Sequence, residues 1–82
     1  MDRASVATRF KDVLDREFLV DISRISDTTT FEELGLDSLD MLTLVEAVQE
    51  EFQLKQSVSR FSEVETIRLI GRAIDIIVDI TK

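Results

Sequence analysis

Glu33-Leu34-Gly35-Leu36-Asp37-Ser38-Leu39-Asp40 is the stretch from which the rest of the chain can be read. It closes a loop, opens a helix and puts one serine hydroxyl at the junction. Gly35 admits backbone angles that a side chain disfavours. Asp37 suits an N-cap, its carboxylate accepting from the amide of Leu39 or Asp40. From Ser38 to about Phe52 the apolar residues recur with helical period. Ser38 is therefore predicted at a helix N-terminus, where free amides and the helix dipole favour an attached anionic group.

At about 100° per residue, Met41, Leu44, Val45, Val48 and Phe52 share one face of this helix. Leu39, Thr43, Glu46 and Glu50 fall nearly opposite. Ser38 lies between them, roughly 70° from the centre of the apolar stripe. A group attached there lies along the surface or turns inward between helices. Leu39 and Leu42 both miss the middle of the core face. Beside Glu46 and Glu50 they fit a docking patch, an apolar anchor in a charged surround. The competing readings are plain: single exposed leucines are common, and two acids one turn apart make an ordinary solvated face.

Working outward, residues from about Arg3 to Phe18 read as a first helix. Val6, Phe10, Val13 and Leu14 form its stripe, Phe18 extends it, and Arg9, Lys11, Asp12, Asp15 and Arg16 fill the other face. From Leu19 to Thr30 the pattern lapses. A lone strand there has nothing to pair with, so the segment reads as a long loop pinned by Val20, Ile25 and Phe31. Loops this long in a small domain are often functional. Glu32 and Glu33 form a single turn or bend. After Phe52 the chain is polar and irregular, with a short helix expected around Ser59–Phe61 and with Phe61 and Val64 dipping into the core. Thr66 is the expected cap of a last helix running from Ile67 to about Thr81. Ile67, Ile70, Ile74 and Ile77 make one stripe on it, and Leu69, Ala73, Ile76 and Ile80 a second. Arg68, Arg72, Asp75 and Asp79 form its polar face, an order that opposes the helix dipole. So wide an apolar surface leaves deep burial, an internal pocket or a dimer contact open, with burial favoured. The fold class is all-α: a small four-helix bundle, three helices long and one short, in a single domain over residues 1–82.

Composition narrows the chemistry. The chain has 82 residues, 44% hydrophobic and 33% charged, which suits one globular domain. No apolar run approaches the roughly 20 residues that span a bilayer. The first residues carry charge without an apolar core, so no secretion signal is expected and a cytoplasmic location is the default. Ten basic against 17 acidic residues give a formal charge of −7. Nucleic acid is disfavoured as a partner, because phosphate binding relies on clustered Lys and Arg. Partners with basic patches are favoured. With neither His nor Cys, no zinc or copper site is expected, and Ser38 has no triad base. The chain is expected to have no catalytic residues and no metal ligands. Ser38 suits an acceptor instead: a serine that an external enzyme modifies needs only exposure and a fixed helix start.

Leu34 to Asp40, followed by Leu44, Val45 and a helix ending Glu50-Glu51-Phe52, closely resembles the acyl carrier proteins. The resemblance covers nearly the whole chain, most specifically Phe31 to Phe52. It implies a non-catalytic carrier that holds acyl intermediates as thioesters on a 4′-phosphopantetheine arm. That arm would come from coenzyme A, through a phosphopantetheinyl transferase that brings Mg²⁺, onto Ser38. Asp37, Leu39, Asp40, Leu42, Glu46 and Glu50 would form the docking face for that transferase and for acyl-loading, condensing and acyl-transfer enzymes. Phe31, Leu34, Leu44, Val48, Phe61 and Ile74 would line the space for an acyl chain. A monomer is the default, with a dimer left open by the last helix. Thr43, Gln49 and Glu46 depart from the fatty-acid carrier pattern, as does Lys55-Gln56-Ser57-Val58-Ser59-Arg60. These departures tilt the reading toward a polyketide or other specialised lipid pathway. A carrier of aminoacyl or peptidyl groups is an alternative, as is a carrier-like interaction module without a prosthetic group.

Overall fold

Three α-helices form where the periodic stripes lie, as seen in a computed structural model that describes residues 2–53 and 68–81. They are α1 (Arg3–Phe18), α2 (Ser38–Glu51) and α3 (Ile70–Ile80). Short 3₁₀ turns at Ile22–Arg24 and Glu32–Leu34 interrupt the connection between α1 and α2. No strand occurs among the described residues; the one element of pairing is an isolated antiparallel bridge between Thr30 and Leu69. No described helix is long and apolar enough to cross a membrane.

α1 starts on Asp2, whose carboxylate accepts from the Ser5 amide and is held below the usual carboxylate range by that backbone hydrogen bond. Its predicted stripe is fully buried: Val6, Phe10, Val13 and Leu14 meet Met41, Leu44 and Val48 of α2 and Ile70, Ile74 and Ile77 of α3. Burying a side chain of this size contributes about 1.5–3 kcal/mol, so this three-way seam is the main source of stability. Phe10 meets Phe31 edge to face, with centroids 6.4 Å apart and planes at 70°. Ile25 and Phe31 are buried and Val20 is half-buried, so the long loop is pinned as its apolar residues predict. The wide surface of α3 is explained by burial: Ile70, Ala73, Ile74, Ile76 and Ile77 all lie inside.

Several expectations need correction. The last helix begins at Ile70, not Ile67, with Leu69 as an uncapped N-terminal flank in extended backbone. Leu69 is thus outside the helix and 42% exposed, not part of a second buried stripe. Arg68 also leaves the polar face of that helix. The reason is tertiary: the amides of Phe31, Ile70 and Gly71 donate to the carbonyls of Arg68, Thr29 and Asp27 at 3.0, 2.9 and 2.9 Å. That pairing consumes backbone groups which another helical turn would need. Thr66 as cap, the short helix near Ser59–Phe61 and the burial of Phe61 and Val64 lie outside the described residues. Asp75, part of the order opposing the helix dipole, has a tertiary partner in Arg3 at 2.8 Å.

Candidate functional site

Ser38 is the first residue of α2 and is exposed. Its position follows from a chain of short-range hydrogen bonds. The Phe31 carbonyl accepts from the amides of both Leu34 and Leu36, at 3.1 and 3.2 Å, which closes the turn before the helix. Gly35 then takes φ 79°, and its amide donates to the Glu32 carbonyl at 2.9 Å. Positive φ there needs no side chain to yield, which is the backbone reason for glycine. Thr30 Oγ1 accepts from the Glu33 amide at 3.1 Å, tying the same turn from its other side.

Asp37 is the N-cap, as its position predicts: its Oδ1 accepts from the Asp40 amide at 2.9 Å. The reciprocal bond is a finding of the structure. Asp40 Oδ2 accepts from the Asp37 amide at 3.1 Å, so the two carboxylates make a capping box around Ser38. The signal was present in the Asp-Ser-Leu-Asp spacing, with aspartate standing where the pattern usually has Glu or Gln. The box holds the helix start rigid. It also places two carboxylates beside the serine. The Ser38 hydroxyl makes no hydrogen bond among the described residues.

The remaining proposed contact residues sort by exposure. Leu39 is 71% and Leu42 50% exposed, and Glu46 and Glu50 are exposed on the same helix. Asp40 is half-buried, its carboxylate already engaged in the cap. Ser38 and Leu39 therefore present a hydroxyl and an apolar side chain side by side at a fixed helix end. Of the residues expected to line an acyl space, Leu44, Val48 and Ile74 are fully buried, Phe31 nearly so and Leu34 half-buried. Phe61 lies outside the described residues.

Ser38 also borders a cleft of about 500 Å³. Thr30, Phe31 and Glu32 line it from the loop, Leu36 and Asp37 from the turn, Met41 from α2, and Arg68 from the segment before α3. Its size falls within the roughly 300–1,000 Å³ of small-molecule sites. Arg68 is the residue that sequence reasoning missed. The apolar pattern predicts it on a helix face, whereas the pairing of residues 27–31 with 68–71 puts it on the cleft wall that Ser38 borders.

At the other end of α2 the arrangement is structural. Arg9 reaches the Glu51 carbonyl at 2.8 Å and its carboxylate at 2.9 Å, while its guanidinium lies 5.0 Å from the centre of the Phe52 ring. Arg16 joins Glu51 at 3.3 Å. The Arg9 hydrogen bond holds the Glu51 carboxyl below its ordinary range, against the opposing effect of burial. Arg9 is thus part of the seam between helices and not of a solvated face.

Comparison with known proteins agrees with this geometry. Residues 4–74 match the family described as phosphopantetheine attachment site. An acyl carrier protein from Saccharopolyspora erythraea is 28% identical over 81 residues, covering 98% of this chain and 82% of that protein. The bikaverin polyketide synthase of Gibberella fujikuroi is 37% identical over 57 residues, which cover 70% of this chain and 3% of the synthase.

Proposed function

The chain belongs to the phosphopantetheine-attachment family of acyl carriers, and on that premise we propose that Ser38 is the residue that accepts the arm. The observation that carries this reading is the exposed, unengaged Ser38 hydroxyl at the first position of a capped helix, beside a cleft. The protein acts as an acyl carrier in fatty-acid or polyketide synthesis. Its prosthetic group supplies a terminal thiol on which acyl groups are held as thioesters.

The chain's own residues do the positioning. Asp37 and Asp40 fix the start of α2, at which Ser38 stands exposed. Leu39, and more weakly Leu42, form the apolar anchor that a transferase and later enzymes bury on docking. Glu46 and Glu50 give the same helix a negative surround, suited to partners with basic patches. The general base and Mg²⁺ for loading belong to the transferase, because this chain has no His. The carrier catalyses no step itself. The replacement of acids by Thr43 and Gln49 supports a polyketide or other specialised partner set. Burial of the apolar faces of α3 supports a monomer, since those faces are spent within the fold. One carrier unit over residues 1–82, with the complete four-helix bundle and a cytoplasmic location, belongs to the same proposal.

The test is covalent loading. Purified apo protein is incubated with coenzyme A, Mg²⁺ and a broad-specificity phosphopantetheinyl transferase, and its intact mass recorded. Wild type gains one phosphopantetheine; Ser38→Ala gains none while unfolding at the same urea concentration within about 0.5 kcal/mol, as expected for an exposed site. Loading of Ser38→Ala would move the attachment elsewhere, and no loading of wild type by several transferases would leave the interaction module as the better reading.

A further inference from the structure

The charges around Ser38 raise a question that the attachment reading leaves open. A phosphodiester on this hydroxyl carries a full negative charge, and the helix N-terminus it would join already holds the Asp37 carboxylate on the Asp40 amide. Asp37 and Asp40 occupy each other's amides there and contribute two carboxylates. Glu32 adds a third acid on the cleft wall. Like charges disfavour one another, so a phosphate among these acids is favoured by a nearby cation.

One residue lining the cleft can provide it. Arg68 is exposed, and its guanidinium forms no ion pair or hydrogen bond among the described residues. Arg3, Arg9, Arg16 and Arg24, by contrast, are all paired with carboxylates. The backbone of Arg68 is held in place, its carbonyl accepting from the Phe31 amide at 3.0 Å. Arginine matches phosphate with two parallel donors, which gives direction as well as attraction. Phe31, Leu36 and Met41 line the same cleft as Arg68 and Ser38, apolar surface suited to the methyl and methylene parts of a pantetheine chain. Its volume of about 500 Å³ is of the order such a chain occupies. Tethering makes the encounter intramolecular, so a weak pairing suffices to populate it.

Resting on Ser38 as the attachment residue, we propose that Arg68 is the counter-ion of the arm's phosphodiester and seats the resting arm in this cleft. Arg68 is thereby a binding residue for the prosthetic group, and its pairing decides on which side of α2 the arm lies. Because the pair is exposed, salt weakens it.

The experiment compares isotope-labelled apo and holo protein by NMR, after intact mass has shown complete loading. Failure to load refutes the Ser38 reading; the steps that follow test Arg68 alone. In holo wild type the Arg68 Nε–H resonance shifts on loading. The geminal methyl groups of the arm also show NOEs to the methyl groups of Leu36 and Met41. Arg68→Gln, which keeps the backbone bond to Phe31, still loads fully but loses those NOEs; Arg68→Lys retains part of them. The apo spectrum of Arg68→Gln, with the Phe31 amide unchanged, shows that the fold is intact. An Arg68 resonance indifferent to loading, or NOEs of equal strength in Arg68→Gln, would overturn the proposal.

Discussion

Leu19 ends α1 with φ 54°, and its side chain is 88% exposed. An L-residue in the left-handed region costs roughly 1–2 kcal/mol, and there is little burial here to offset it. Glycine removes that cost while adding roughly 0.5–1 kcal/mol of unfolded-state entropy. Leu19→Gly is therefore expected to stabilise the protein by about 0.5–1 kcal/mol in urea denaturation; a loss of stability would mean that the leucine packs in solution. Gly71 is the opposite case. Alanine is the better helix former by roughly 1 kcal/mol, but a Cβ at Gly71 would stand 2.7 Å from Asp27 Cβ and 2.9 Å from the Asp27 carbonyl oxygen. That oxygen is itself held by the Gly71 amide. Overpacking of this kind costs about 1–3 kcal/mol, so Gly71→Ala lowers the urea midpoint. An unchanged or higher midpoint would show that the loop yields cheaply.

α2 is the element on which the function rests, and it is secured at both ends by different chemistry. The capping box holds the N-terminus, where Ser38 sits. At the C-terminus Glu51 is an acid at the negative end of the dipole, an arrangement that Arg9 and Arg16 offset. Because Arg9 depresses the folded-state pKa of Glu51, this pairing stabilises the fold above the ordinary value of 4.5. It is lost as pH falls through the lower, folded value. The stability difference between wild type and Glu51→Gln is thus largest near neutral pH and closes progressively below about 4.5, as urea curves at several pH values would read. A difference independent of pH would assign Glu51 a steric role only.

For the whole molecule, α1 is the shared partner of α2 and α3, and its Phe10 joins the common core and meets Phe31 edge to face. Phe10→Ala should cost about 3–5 kcal/mol, a large share of the roughly 4–12 kcal/mol expected for a chain of this length. Phe31 is also the residue whose carbonyl closes the turn before Ser38. Loss of Phe10 should therefore slow transfer of phosphopantetheine to Ser38, which it does not touch, along with lowering the urea midpoint. A loading rate equal to that of wild type in the folded fraction would show that the site loop is held independently of the core.

What the sequence by itself determined was local. Apolar spacing places α1 and α2, because a helix shows its period in neighbouring residues. Gly35 and Asp37 mark the turn and the cap, because those conformations depend on one or two side chains. The place of Ser38 at the helix start follows from them, and the family resemblance from the motif around it together with Leu44, Val45 and the helix ending Glu50-Glu51-Phe52. The start of α3 was decided only by tertiary structure, since the pairing of residues 27–31 with 68–71 overrides a pattern that looks helical from Ile67. The same pairing brings Arg68 to the cleft that Ser38 borders, across 29 intervening positions of sequence. Arg9 looked like one more solvated charge until Glu51 arrived beside it. Helical period is written in residues three and four apart, whereas these contacts exist only once the loop has closed over the core.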